Sequence, residues 1–215
     1  MRRLVVGVDG TEAARIALDW AADAVGPDGH IHAIVAVDPT IELLVDVVTG
    51  DPMSYLERLY HDLADDWTKD ATGTVAELTA DLVETGAPEA LVAAAAEFHA
   101  DAIVIGAHVT HLGLPKRIGG TTRHLLRKLV VPLIVVPAST KRALADGPLV
   151  IGVGDSDATE AAARWAATLA DERDLEIGVV RATGDGPVFR ADGQLDVDLG
   201  REVQELSDHD LTIEV

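Results

Sequence analysis

The sequence predicts an α/β protein of three layers, in which a five-stranded parallel sheet lies between helices. Segments with strand and helix patterns alternate as β-α-β-α-β-α-β-α-β up to residue 137, an order that implies a parallel sheet with helices on both faces. The predicted strands are continuous apolar runs, as expected for strands that are buried on both faces. A third observation extends the prediction, because the same pattern begins again near residue 148.

The individual elements follow from local patterns. Leu4 to Val8 is an apolar run that ends in Asp9-Gly10-Thr11, and Thr11 is a suitable N-cap for the next helix. That helix carries one apolar stripe, formed by Ala14, Ala17, Leu18, Ala21 and Val25. The remaining predicted strands are 31–37, 76–83, 102–106 and 133–136. The remaining predicted helices are an acidic one over 52–72, one that starts near Pro88 and one over 121–129, while 39–50 shows no clear period.

Composition excludes several classes of function. The chain has no cysteine, so disulfides, thiolate metal sites and cysteine nucleophiles are excluded. A net charge of −20 argues against nucleic acid as a partner, since such binding depends on neutralising phosphates. The first apolar run is too short for a signal peptide, and no run approaches the roughly 20 residues of a membrane span. We therefore expect a soluble, cytoplasmic protein with no membrane partner.

Positive charge is concentrated in one part of this acidic chain. No Asp or Glu occurs between Asp101 and Asp146, although the chain holds 37 acidic and 17 basic residues. The bases of this acid-free window are Lys116, Arg117, Arg123, Arg127, Lys128, Lys141 and Arg142. The window follows an apolar strand that ends near Gly106, and glycine-bearing loops between a strand and a helix are common phosphate sites in α/β proteins. The pattern predicts an anionic ligand here.

The second part of the chain repeats the first. Residues 4–23 align with 149–168 at an offset of 145, and 31–37 align with 175–181 at an offset of 144. We divide the chain into a first domain over 1–137, a linker over 138–147 and a truncated second repeat over 148–215. The second copy contains no counterpart of the acid-free window, so any ligand site is expected in the first domain.

Two motifs connect the first domain with a known family. Asp9-Gly10-Thr11 follows the first strand, and the fourth strand ends in I-G-A-H before a loop that leads to G-G-T-T. With V-P-L-I-V-V-P after it, this arrangement resembles the universal stress protein (UspA-like) family. The resemblance implies a Rossmann-like fold of the adenine nucleotide alpha hydrolase type. Nucleotide-binding members carry G-x2-G-x9-G-[ST], whose positions fall here on Gly106, Val109, Gly119 and Gly120.

The resemblance implies a non-catalytic stress-response regulatory or sensor protein that binds ATP or a related adenine nucleotide. Asp9 would contact the adenine or its surroundings, the backbone near Val37 would flank the base, and Thr121 or Thr122 would supply the missing hydroxyl. The full candidate set is Val8, Asp9, Gly10, Val37, Gly106, His108, Lys116, Arg117, Gly119, Gly120, Thr121 and Thr122. Val109 and Gly120 depart from the motif, so the alternative is an interaction module of the same family that has lost nucleotide binding. A weak ATPase is the third reading, without a catalytic residue that we can name.

Two further expectations concern metals and partners. His108, His111 and His124 cluster around the loop in the acid-free window, but three histidines without a nearby carboxylate form a poor metal site, and we predict no metal. Family resemblance also implies a homodimer through the last strand of the sheet, Leu133 to Val136, which would otherwise be an exposed sheet edge.

Overall fold

The computed structural model describes residues 1–38, 61–62, 66–68, 71, 74–107, 120–129, 131–140, 149–153 and 157–181. Contacts divide the chain into two units, Met1–Leu144 and Ala145–Val215. The strands of the first unit are β1 (Arg3–Gly7), β2 (His30–Ala36), β3 (Glu77–Val83), β4 (Ala102–Ala107) and β5 (Leu133–Pro137). Its helices are α1 (Glu12–Val25), α2 (Ala87–Phe98) and α3 (Gly120–Leu125). The second unit contains β6 (Leu149–Val153), α4 (Asp157–Arg173) and β7 (Ile177–Arg181).

The first unit confirms the predicted three-layer fold. Its five strands are all parallel and lie in the order β3-β2-β1-β4-β5. Leu4 and Val6 on β1 face a core cluster with Leu18 of α1, whereas Val5 faces a second cluster with Leu91 of α2. Burial of both faces explains why β1 is a continuous apolar run rather than an alternating one.

The helices begin and end where local chemistry requires it. The Thr11 side chain accepts a hydrogen bond from the Ala14 amide at 3.2 Å, which caps α1 as predicted. The prediction of a helix over 121–129 was too long, because α3 ends at Leu125. Beyond it, Arg127 and Lys128 donate amide hydrogen bonds to the carbonyls of His124 and Leu125, three residues back. These bonds form turns, and they alternate with α-helical bonds from the Leu126 and Leu129 amides to the carbonyls of Thr122 and Leu125.

Two predicted segments are only partly within the described residues. The segment 39–50 lies outside them, and the predicted acidic helix over 52–72 is represented by a few residues alone. Of these, 61–62 are helical, and Thr68 and Ala71 are buried. The predicted linker over 138–147 is described only as far as Thr140.

The described part of the second unit has the same order as the start of the first. Strands β6 and β7 are parallel and are joined by α4, which packs on Ile151 and Val179. Leu149 pairs with Ile177, as Leu4 pairs with Ile31. This register corresponds to an offset of 146 for the second strand, two more than the sequence alignment gave. The connecting helices also differ in length, with 17 residues in α4 against 14 in α1.

Candidate functional site

The sheet order places the candidate site at the carboxyl end of β1. Within the sheet, β2 and β3 lie between β1 and one edge, and β4 and β5 lie between β1 and the opposite edge. The order reverses between β1 and β4, and in open α/β sheets ligands bind beyond the carboxyl ends of the strands at such a switch point. Asp9 follows β1, and Gly106 lies near the end of the neighbouring strand β4.

The loop after β1 is built around Asp9 and Thr11. Oδ1 of Asp9 accepts hydrogen bonds from the Thr11 amide at 3.0 Å and from the Thr11 hydroxyl at 2.6 Å. Because the same hydroxyl accepts from the Ala14 amide, a short chain of hydrogen bonds links Asp9 to the first turn of α1. Asp9 itself is exposed. Its carboxylate is therefore held in one orientation by the loop.

Gly10 lies under an aromatic ring that the sequence motifs do not indicate. Its φ is 75°, in the left-handed region that favours glycine. A Cβ atom on Gly10 would lie less than 3.0 Å from three atoms of the Trp67 indole, Cζ2, Cε2 and Cη2. Trp67 is half-buried and packs against the core cluster that contains Val8 and Val37. The carboxyl end of β1 is thus covered on one side by an indole.

Val8 and Val37 contribute to the site through their position and not through their side chains. Both side chains are buried, and both amides are used within the sheet. The Val8 amide donates to the Ile34 carbonyl at 2.9 Å, and the Val37 amide donates to the Val83 carbonyl at 2.9 Å. Neither amide is therefore available as a donor to a ligand in this conformation.

Gly106 is explained by packing between β4 and α1. A Cβ at this position would lie less than 3.0 Å from the carbonyl of Ala13 and from the amide nitrogen of Ala14. These are backbone atoms of the first turn of α1, which cannot move aside as the end of a side chain can. Gly106 and the Asp9-Thr11 loop therefore converge on the same helical turn. The glycine is required whether or not a phosphate binds.

The start of α3 is open to solvent. Gly120 and Thr121 are exposed and Thr122 is half-buried. A Cβ on Gly120 would meet no atom of the described residues within 4 Å, so packing against them does not explain a glycine here. The remaining predicted site residues, His108, Lys116, Arg117 and Gly119, lie outside the described residues, as does Val109.

Part of the positive charge in the acid-free window is neutralised by an acid from outside it. Lys128 Nζ donates to Oε1 of Glu89 on α2 at 2.7 Å, and Nε2 of His124 lies 3.4 Å from the same oxygen. The hydrogen bond from Lys128 is the main cause of a lowered pKa at the Glu89 carboxyl. These groups fasten the α3 region to α2. Within the described residues, the structure shows no ion pair for Arg123 or Arg127.

Sequence reasoning missed two residues of this region, Trp67 and Glu89. Trp67 belongs to a segment that was read only as an acidic helix, and nothing in its pattern placed it beside Gly10. Glu89 could have been noticed as an acid in the first turn of a helix, which suits the helix dipole. Its pairing with Lys128 spans 39 residues of sequence and needs the fold to be known.

The described residues contain neither a metal-binding cluster nor a membrane-spanning helix. Within them, no group of three or more His, Asp or Glu side chains is arranged to hold a metal ion. His108 and His111 of the histidine cluster are not among these residues. The helices seen in the same part of the chain all lack the length and apolar character of a membrane span.

Comparison with known proteins identifies the family. The family model described as "Universal stress protein family" matches residues 1–137, which is more than half of the chain. The chain therefore belongs to the universal stress protein family, in agreement with its fold. No curated protein matches it.

Solved structures agree with this fold. A universal stress protein from Archaeoglobus fulgidus DSM 4304 is 13% identical, with 85% of this chain and 68% of that chain covered and a TM-score of 0.64. Hypothetical protein MJ0577 is 18% identical, with 65% and 98% covered and a TM-score of 0.54. A universal stress protein in complex with cAMP is 22% identical, with 64% and 98% covered and a TM-score of 0.45. At such identities the likeness is one of fold.

Proposed function

We propose that this chain is a non-catalytic stress-response regulatory or sensor protein of the cytoplasm that binds ATP or a related adenine nucleotide in its first unit. Membership of the universal stress protein family carries the proposal. The geometry supports it, because the exposed Asp9 follows β1 directly beside β4, at the point where the strand order reverses. No Asp or Glu lies between Asp101 and Asp146 to activate water, which favours binding without hydrolysis.

The residues present suit a nucleotide in two places. The Asp9-Gly10 loop offers a fixed carboxylate for the nucleoside. The backbone at Gly120, beside which a Cβ meets no atom of the described residues, and the Thr121 and Thr122 hydroxyls next to it suit phosphate oxygens. Positive charge for these phosphates comes from Arg123 and Arg127, for which no ion pair is seen within the described part of α3 and its turn. By family resemblance, His108, Lys116, Arg117 and Gly119 complete the phosphate side.

Nucleotide binding predicts a higher melting temperature in the presence of ATP. At an ATP concentration about 100 times Kd, binding adds about 2.7 kcal/mol, which raises Tm by roughly 5 to 10 °C for a chain of this size. Differential scanning fluorimetry with ATP, ADP and cAMP measures the shift, and denaturation of the purified protein with mass analysis detects nucleotide that was already bound. Gly119→Val should lose the shift, and Gly154→Val, at the position of the second repeat that aligns with Asp9, should keep it. If no nucleotide is released and none raises Tm, the proposal is wrong.

A second candidate function is an interaction module that has lost the nucleotide. Three observations favour it. Val109 and Gly120 depart from the family motif, Gly106 is explained by its contact with Ala13, and Glu89 neutralises Lys128. The melting experiment separates the two candidates, because the module predicts no shift with any adenine nucleotide.

We further propose that two copies associate through β5. In the sheet as described, β5 pairs with β4 alone and forms one edge of the sheet. Val135 on this strand is 39% exposed, and an unpaired apolar edge strand favours association.

Val135→Lys is expected to convert a dimer into a monomer, because a lysine ammonium on an edge strand must be desolvated when another strand pairs with it. Light scattering after size-exclusion chromatography at micromolar concentration measures the mass. Val150→Lys is the matched control, since Val150 is an exposed valine on a strand of the second unit. A wild-type protein that elutes as a monomer would contradict the proposed dimer, and equal effects of both variants would contradict the use of β5.

We retain the second unit as a partial repeat of the first. The parallel pair β6 and β7, joined by a helix that packs on one face, supports this reading. The domain division at 137, 138–147 and 148–215 stays a proposal with it.

A further inference from the structure

Trp67 stands at the carboxyl end of β1, where the proposed function requires an opening. Its indole atoms Cζ2, Cε2 and Cη2 fill the space that a side chain on Gly10 would need. The same ring packs against the core cluster that contains Val8 and Val37. Val8 directly follows β1, and Val37 directly follows β2. The neighbouring Thr68 and Ala71 are buried at 2% and 3% exposure, so the segment that carries the indole is itself anchored.

The contact between the indole and Gly10 distinguishes a ring that blocks the site from a ring that stacks on a base. The ring lies directly against the backbone of the loop that carries Asp9, with no layer between them. A planar base that approached Gly10 would have to enter the volume already filled by the indole. An aromatic ring that stacks on a base, in contrast, leaves a gap between its face and the opposite wall of the site, and the base fits into that gap.

We propose that Trp67 is an occluding residue that competes with the base of a nucleotide for the space beside Gly10. In the described conformation the indole closes this space, and a ligand gains access when the side chain rotates away. The inference rests on the proposed function, because it concerns the same site. Trp67 would then determine the affinity of this chain for the nucleotide, because displacement of the indole costs free energy and weakens binding by that amount.

Occlusion predicts that a smaller side chain at position 67 tightens binding. Trp67→Leu keeps an apolar side chain against the core and removes the bulk beside Gly10, and it should lower the Kd for ATP by about tenfold or more in isothermal titration calorimetry. Trp67→Phe keeps an aromatic ring and serves as the matched variant, with a smaller decrease in Kd. Circular dichroism and the melting temperature without ligand establish that both variants are folded.

A second measurement follows the indole itself. Trp20→Phe with Trp165→Phe leaves Trp67 as the sole tryptophan of a chain that has three. Saturation with ATP should shift the emission to longer wavelength and increase quenching by acrylamide, because the displaced ring enters water. A shift to shorter wavelength with reduced quenching would instead show a ring that is covered by the base, and it would overturn the inference.

The outcomes also separate this inference from the proposed function. If wild type fails to bind ATP and Trp67→Leu binds it, occlusion is supported and nucleotide binding by the natural protein is contradicted. If wild type binds and Trp67→Leu binds equally or more weakly, occlusion is overturned and the proposed function stands. If no variant binds, occlusion is overturned as well, because removal of the indole opened no site.

Discussion

Gly106→Ala is expected to lower the free energy of unfolding by about 3 kcal/mol, at the upper end of the range for overpacking. The added Cβ would lie less than 3.0 Å from backbone atoms of Ala13 and Ala14. Relief requires that α1 move as a unit away from β4, which also disturbs the cap that Thr11 provides. Urea unfolding followed by far-ultraviolet circular dichroism measures the loss.

Gly120→Ala is the matched control. The same methyl group is added at the Ser/Thr position of the nucleotide motif, where it meets no atom of the described residues within 4 Å. Because Gly120 is the first residue of α3, alanine should be neutral or slightly stabilising there. If Gly106→Ala proves as stable as wild type, the packing explanation is wrong and a ligand-based role for Gly106 regains support.

Destabilisation by Gly106→Ala would change the interpretation of ATP binding measured with Gly106 variants. Loss of ATP binding in a Gly106 variant does not demonstrate a phosphate contact, because the variant also displaces the first turn of α1 and with it the Asp9 loop. Substitutions at Gly120 are free of this difficulty. The functional importance of the motif is therefore better tested at Gly120 than at the glycine that matches the family pattern.

Apart from the end of α3, the sequence was sufficient for the described strands and helices of the first unit but not for the order of the strands in the sheet. Leu4 to Val8 and 102–106 have the same apolar pattern, since both strands are buried on two faces. That pattern indicates that a strand is central in the sheet, but it does not indicate which strand lies next to it. The order β3-β2-β1-β4-β5 comes from the family fold and from the observed register.

The candidate site was predictable where it depends on neighbours in sequence. Asp9, Thr11 and Ala14 lie within one turn, and their hydrogen bonds follow from ordinary capping chemistry. Distant contacts were not predictable in this way. The partner of Lys128 is Glu89, and the cover of Gly10 is Trp67, each determined by the packing of separate elements. The acid-free window consequently overstated the charge that is available to a ligand.

Gly10→Ala is the second substitution for which we expect a large effect, a loss of roughly 2 to 3 kcal/mol in the free energy of unfolding. Two causes add. A residue with a Cβ is strained at a φ of 75°, by about 1 to 2 kcal/mol. The Cβ would also overlap the Trp67 indole, which must leave its place against the core cluster.

A matched glycine separates these two causes. Gly26 at the end of α1 has a φ of 69° and a ψ of −172°, and a Cβ there meets no atom of the described residues within 4 Å. Gly26→Ala should therefore show backbone strain without a ring contact. Its ψ is nearly restricted to glycine, so urea unfolding of this variant gives an upper value for the strain at Gly10.

A double-mutant cycle with Trp67→Leu completes the test. Once the indole is absent, Gly10→Ala should cost no more than Gly26→Ala, so the coupling between positions 10 and 67 is expected to be about 1 kcal/mol. Strict additivity would show that the ring does not rest on the loop, and the occlusion proposed for Trp67 would lose its basis. Coupling together with tighter ATP binding in Trp67→Leu would instead show that one contact both stabilises the loop after β1 and restricts access to the site.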